Sequence, residues 1–410
     1  MKTLVLTLDY PSRASYYDDW RDAFRDSRLF RATVRNIFHR AGRRLLRGEI
    51  AAYDVIVLLH SCTADTLRYV AELTPILQGR RGLLVCFVGN EVNLPWSPLC
   101  AKLAWLATLA PDVIATQLPL EAGEWLYGTT GARVVTLPHA LNPSVFHPML
   151  AQAERPIDIG ARSYRYLAYL GDDDRNRLHD FFATHPFEPP LKLDLSTDDR
   201  YDRAGWAGFL SRSKATISTE AGSWYLERDD ATVLAIRDYA AAAGGLVFRA
   251  DSPLQHLARR LPYGVKATLR RYLRGSMLSH EALGAERLDF AEVHRRFFAG
   301  RPRAPVYSKC ISSRHFDAVG CQTLQIMFPG RFNDILRAGE HYVALAPDFA
   351  NLDDVLALLR DVPARQAIVD RAYEHVMSAH TYAHRLAELY AILAARSASG
   401  GVPRMRAMPG

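Results

Sequence analysis

The sequence is poor in the features that hold small or membrane-spanning proteins together. It has five cysteines in 410 residues, Cys62, Cys86, Cys100, Cys310 and Cys321, and no CxxC pair. That excludes a zinc ribbon or a redox dithiol, and the five read as small buried side chains in a reducing compartment. No stretch approaches ~18 uninterrupted apolar residues, which argues against a spanning helix. The apolar run from Met1 to Leu8 meets Asp9 too soon for a signal-peptide core. There is no internal repeat with a period of roughly 20–50 residues. His139 and His147 lack the spacing and partners of metal ligands, so no metal is expected. Acidic residues are the minority: Asp and Glu number 44 against 51 Lys and Arg, a net charge of +7. Such a balance favours an anionic partner, but no nucleic-acid motif accompanies the arginines, so nucleic acid is set aside.

What is present is ordinary globular material, 49% hydrophobic and 23% charged, with length for two or three domains. Apolar runs at Thr3–Leu8, Asp54–His60, Gly82–Val88, Asp112–Thr116 and Arg133–Leu137 read as strands. Helical spacing lies between them at Asp18–Arg25 (with Trp20 and Phe24 on one face), Thr66–Leu77 and Pro119–Tyr127. Continuous apolar strands separated by helices predict a parallel, doubly wound sheet covered on both faces. Sites in such sheets lie beyond the carboxyl ends of the strands, here Asp9–Ser15, His60–Thr63, Gly89–Asn93 and Thr116–Gln117. Pro138–Arg155 reads as a linker. A second unit alternates strands at Ile157–Gly160, Leu191–Leu195, Ala215–Ser218, Leu324–Phe328 and His341–Leu345 with helices at Leu178–Phe182, Tyr201–Ser213, Ala231–Ala243, Phe316–Gly320, Leu352–Leu359 and Arg365–Ala395. The expected fold class is therefore α/β, with two doubly wound Rossmann-like domains facing a cleft. Residues 1–150 form the first domain and 151–396 the second, with a helical insertion at about 250–301 and a disordered tail at 397–410.

Four segments carry a resemblance. Leu137-Pro138-His139-Ala140-Leu141-Asn142-Pro143-Ser144-Val145-Phe146-His147-Pro148 resembles the signature that closes the N-terminal domain of retaining family-four glycosyltransferases of the GT-B architecture. Asp158-Ile159-Gly160-Ala161-Arg162 is similar to the opening strand and basic turn of their donor domain. Arg314-His315-Phe316-Asp317-Ala318-Val319-Gly320-Cys321-Gln322-Thr323 resembles the donor-site helix of the CgeB-like, spore-maturation branch. Gly330-Arg331-Phe332-Asn333-Asp334-Ile335-Leu336, followed by His341-Tyr342 and Asp353, is similar to the ending of that branch. The resemblance implies donor contacts from Arg162, Arg314, Asp317, Gly320 and Thr323, with Arg165 or Lys309 as the second basic residue. The family has a glutamate eight residues before Asp317, where this chain has Lys309; Glu220 is the nearest carboxylate substitute. The loop after the first strand lacks paired glycines, leaving Tyr10 and Ser12 as acceptor contacts with Asn90 and Glu91. His60 or Glu91 would touch the acceptor or the reacting sugar, and Arg162 would steady the leaving group.

The function implied is transfer of a sugar from a nucleotide-sugar to a saccharide, lipid-linked glycan or protein acceptor, with retention. No cofactor or metal is implied, because Asp172-Asp173-Asp174 precedes a helix and reads as its cap rather than a metal-binding triplet. Arg259, Arg260, Lys266, Arg270, Arg271 and Arg274, interleaved with leucines, make the insertion a candidate for peripheral membrane contact. The reading places the chain in a bacterial cytoplasm, at the inner membrane face if the insertion engages lipid. Its rivals are an epimerase-like hydrolase of the same architecture and a non-catalytic glycan- or nucleotide-binding scaffold.

Overall fold

The computed structural model describes residues 1–9, 16–242, 246–248, 260, 261, 265, 268, 278–280 and 288–398. The first sheet comprises β1 (Lys2–Thr7), β2 (Arg31–Asn36), β3 (Val55–Leu58), β4 (Leu83–Phe87), β5 (Val113–Thr116) and β6 (Arg133–Thr136). All pairs are parallel, in the order β2-β1-β3-β4-β5-β6. Every residue of β3 and β5 is buried, as befits central strands covered on both faces. β2 is the exception. Its sequence alternates polar residues, Arg31, Thr33 and Arg35, with Ala32 and Val34; it lies at the sheet edge and is at most half-buried, and no continuous apolar run betrays it.

Beyond Arg155 follow β7 (Ile157–Arg162), β8 (Leu193–Ser196), β9 (Ser213–Ser218), β10 (Ala221–Gly222), β11 (Leu246–Phe248), β12 (Leu278–His280), β13 (Lys309–Cys310), β14 (Leu324–Met327) and β15 (Val343–Ala344). β15-β14-β9-β7-β8 form the second parallel sheet, while β10 pairs with β13 and β11 with β12. In the first sheet β1 lies between β2 and β3, and in the second β7 lies between β8 and β9. Each neighbouring pair β1/β3 and β7/β9 is a point where strand order reverses, leaving a crevice at the carboxyl ends.

The helices close the layers. Trp20 and Phe24 are fully buried on the expected face of the Tyr16–Asp26 helix. The single helix expected over Thr66–Leu77 is two short ones, Arg68–Ala71 and Thr74–Gln78, the second with Pro75 in its first turn. Arg365–Ala395 likewise divides into Val362–Ala379 and Tyr382–Ala398, with Thr381 between them bridging to Leu141. The division lets the chain cross back. Tyr382, Leu386, Leu389 and Leu393 pack with Trp20, Phe24 and the first sheet, so the last helix joins the first unit's core rather than the second's. Four cysteines are buried as expected, but Cys100 is exposed. Most of the 250–301 insertion lies outside the described residues; within it Phe290–Phe297 is a helix. Residues 399–410, the greater part of the expected tail, also lie outside them.

The two units meet through polar contacts. Arg203 Nη1 donates to Asp19 Oδ1 and Asp22 Oδ2, both at 2.8 Å. Asn93 Nδ2 donates to Asp230 Oδ1 at 2.6 Å, and the backbone N–H of Cys100 donates to Asp230 Oδ2 at 2.7 Å. Asn333 Nδ2 donates to the Gln117 carbonyl at 2.9 Å.

Candidate active site

The crevice beyond β7 and β9 is lined by Arg162 and Ser163 at the end of one strand and Ser218 and Thr219 at the end of the other. The Asp174–Thr184 helix adds Arg175, Leu178 and His179, which its period places on one face. Trp206 comes from the Arg203–Arg212 helix, and Ser312 and Arg314 from the start of the Ser313–Gly320 helix. Three arginines and several hydroxyls thus surround a cleft whose described lining holds no carboxylate.

Each arginine is held from behind. Arg162 Nη2 donates to Asp194 Oδ1 at 2.6 Å, and the guanidinium lies 4.4 Å from the Phe209 ring centre. Arg175 sits 3.9 Å over the Tyr166 ring and donates to its hydroxyl at 3.1 Å. Arg314 Nη1 donates to the Arg162 carbonyl at 3.1 Å. The helix bearing Arg314 opens with a capping box between Ser312 and His315, which fixes its first turn. Three buried nitrogen or oxygen atoms of the lining have no protein partner: Arg162 Nε, His179 Nε2 and Ser218 Oγ. Burial also lowers the His179 pKa, favouring the neutral ring. An unpartnered buried polar atom is costly, so this cluster suits a polar ligand.

Asp317 stands one helical turn from Arg314, behind the cleft wall. Trp206 Nε1 donates to its Oδ2 at 3.0 Å. Burial, reinforced by the nearby Asp19 carboxylate, pushes the Asp317 pKa well above the usual carboxylate range.

The other residues singled out by sequence have different surroundings. Arg165 is half exposed and pairs with Asp180 through bonds of 2.5 and 2.7 Å, away from the cleft lining. Lys309 is buried against Asp172 and Asp174, with N–O separations of 2.9 Å to each. Burial opposes its charge, but the two carboxylates outweigh burial and raise its pKa. Asp172 and Asp174 therefore neutralise Lys309; Asp172 Oδ1 also accepts from the Asp174 N–H at 3.2 Å at the helix start, while Asp173, at the N-cap, makes no side-chain capping bond. Glu220 accepts from the Tyr307 hydroxyl and, at 2.7 Å, from the Phe332 N–H. A Cβ on Gly330 would lie 2.3 Å from Glu220 Oε2, so only glycine leaves room for that carboxylate. It braces a loop whose Phe332, Asn333 and Asp334 are all left-handed, with φ of 46°, 53° and 59°. Gly320 admits the linker rather than a ligand, since its Cβ would lie 2.4 Å from Leu141 Cδ1. Thr323 is buried, donating to the Leu210 carbonyl at 2.8 Å and accepting from Arg155 at 3.1 Å.

In the first unit, Glu91 is enclosed. It accepts from Thr116 at 2.5 Å, Tyr127 at 2.8 Å and the Gln117 N–H at 2.9 Å. Asn90, left-handed at φ 49°, donates to the Ala64 carbonyl. His60 is wholly buried among Tyr17, Trp20, Phe87 and His139, and neither ring nitrogen has a partner. Its surroundings, then, are an aromatic core rather than a cleft. Tyr10 and Ser12 lie outside the described residues. Of the lining residues, sequence reading singled out Arg162 and Arg314 and missed the rest, Arg175, His179, Trp206 and Ser218 among them. The available signal was the strand-order reversal at β7/β9, which directs attention to helix faces flanking those strand ends.

Residues 278–391 match a family model described as glycosyl transferase-like. No curated protein matches the sequence. Among solved structures, Anabaena Alr3699/HepE in complex with UDP and glucose is similar at a TM-score of 0.50 and 10% identity, over 96% of this chain and 99% of that one. The fold is GT-B. The same Anabaena protein in complex with UDP gives a TM-score of 0.50 at 10% identity, over 96% of this chain and 100% of that one. An α,α-trehalose 6-phosphate synthase from Burkholderia multivorans aligns over 100% of this chain and 99% of its own at a TM-score of 0.45 and 10% identity. The family match includes Ser312, Arg314 and Asp317, whereas Arg162, Arg175, His179 and Trp206 precede it. Among the described residues no three His, Cys, Asp or Glu side chains cluster as a metal site, and no helix is long and apolar enough to cross a membrane.

Proposed function

We propose that the chain is a glycosyltransferase that binds a nucleotide-sugar with its diphosphate in the β7/β9 cleft. The observation that carries this reading is the convergence of Arg162, Arg175 and Arg314 with the unpartnered His179 Nε2 and Ser218 Oγ. Phosphate oxygens are acceptors that such donors satisfy, and guanidinium–phosphate bonds are charge-assisted. Transfer breaks the bond between the anomeric carbon and the diphosphate. The departing diphosphate keeps the electron pair, and the acceptor hydroxyl oxygen bonds to the carbon as its proton passes to an oxygen of the departing diphosphate. The three arginines stabilise the charge that develops on the leaving group, usually the largest catalytic effect available to such a site. Asp317 acts through Trp206, whose indole it fixes at the cleft wall. Transfer proceeds with retention and without a metal, to a saccharide, lipid-linked or protein acceptor. HepE is described in complex with UDP and glucose, which supports a uridine nucleotide as the first donor to try.

One observation favours the scaffold alternative: Lys309 is locked by Asp172 and Asp174, and the cleft's described lining has no carboxylate to face a sugar. Incubation with a panel of nucleotide-sugars separates the two readings. The enzyme releases free nucleotide, slowly to water and faster to acceptor; the scaffold binds and releases the donor intact. No binding of any nucleotide diphosphate would remove the enzyme and leave only a glycan-binding scaffold.

A further inference from the structure

The helix Arg40–Glu49, in the crossover from β2 to β3, carries four arginines in ten residues. Its inward side supplies Leu46, fully buried in the core of the first sheet. Outward, His39, Arg40, Arg44, Leu45 and Arg47 are exposed, and Leu45 at 56% is the most exposed large apolar side chain among the described residues. The helix's one carboxylate, Glu49, is taken up by Arg35 through bonds of 3.0 and 3.2 Å. Arg43 turns sideways to Glu72. Arg40, Arg44 and Arg47 have no ion-pair partner among the described residues, and Asp9, beside Arg40, is already paired with Arg21, so the outward face is net cationic.

We propose that this face seats the protein on an anionic phospholipid surface. A cationic face gathers the counter-charge of acidic headgroups, and the exposed Leu45, at the edge of that face, enters the headgroup boundary where water would otherwise wet it. A nucleic-acid partner would use the charge but gain nothing from the exposed leucine. The surface belongs to the first unit, with Arg260 of the 250–301 insertion lining a cavity beside its His39 and Arg40, and it does not depend on the nucleotide assignment.

The test is co-sedimentation of the full chain with phosphatidylcholine vesicles, with and without phosphatidylglycerol. The unaltered chain pellets only with the anionic vesicles, and added salt releases it. The triple variant Arg40→Ser, Arg44→Ser, Arg47→Ser binds at least about tenfold more weakly, and Leu45→Ser several-fold more weakly. Circular dichroism and melting temperature of these surface variants match the parent's. A companion variant with Arg259, Arg270, Arg271 and Arg274 changed to Gln, leaving Arg260 beside the face in place, keeps most of the binding. Loss of binding in that companion but not in the triple variant would overturn the proposal. So would a parent that ignores anionic vesicles, including one that instead binds duplex DNA through the same arginines.

Discussion

Lys309 is a buried cation whose charge is met by Asp172 and Asp174. Replacing it with methionine strands the Asp172 carboxylate, whose side chain is 1% exposed, so Lys309→Met should cost about 3–5 kcal/mol of stability. Urea unfolding checks it; a change under about 1 kcal/mol would mean that the pair does little for the fold. Arg314 is different, because it faces the cleft. Arg314→Ala should weaken nucleotide diphosphate binding by roughly tenfold to a hundredfold, the worth of a charge-assisted hydrogen bond, while the melting temperature stays within a few degrees. Calorimetric titration decides. At this scale the sequence was half legible. Arg162 and Arg314 sit in recognisable segments and do reach one cleft. Arg165, Glu220, Lys309 and Thr323 looked equally suitable, but each had a partner supplied by a distant segment: Asp180, Tyr307, Asp172 and Leu210. Linear spacing does not disclose such partners.

The Arg203–Arg212 helix joins several parts of the molecule. Arg203 holds Asp19 and Asp22 of the first unit, Trp206 faces the cleft, and Phe209 lies under Arg162. These positions are three residues apart and share one side of the helix. A contact between units and the anion site therefore share one rigid element. Arg203→Ala should raise the nucleotide dissociation constant about fivefold although Arg203 does not line the cleft, the size of a modest coupling between sites. Unchanged affinity in the variant would show that the helix transmits nothing. Among elements, the central strands were plain because burial on both faces leaves unbroken apolar runs. β2 was hidden because an edge strand tolerates arginines, and the break at Thr381 was hidden because its cause is a bridge to Leu141.

Across the whole molecule, burial holds several histidines neutral. His139 and His315 are each pushed down to about 3, and His60 well below its ordinary value, all chiefly by burial. An unfolded histidine takes up a proton below about pH 6.5 while these folded ones do not, so their contribution to stability is present above that pH and is lost as pH falls. Buried carboxylates with raised pKa values, such as Asp317, act in the opposite sense. A variant isolates the histidine effect. His60→Phe keeps the aromatic packing and forfeits no hydrogen bond, so its stability relative to the parent should rise as pH drops from about 6.5. Urea unfolding across that range tests it, and a difference that does not change with pH would contradict it. The overall architecture was legible from strand periodicity alone, since two parallel sheets leave two series of apolar runs; how the units face each other was not.

The central claim is that the β7/β9 cleft holds a nucleotide diphosphate. The most direct measurement is calorimetric titration of the full chain with UDP, GDP, ADP and dTDP, repeated with Arg175→Ala and Arg314→Ala combined. The account predicts one preferred nucleotide and at least a hundredfold loss of affinity in the double variant, roughly two charge-assisted bonds. Binding that survives the double variant unchanged, or no binding by the parent, would contradict it.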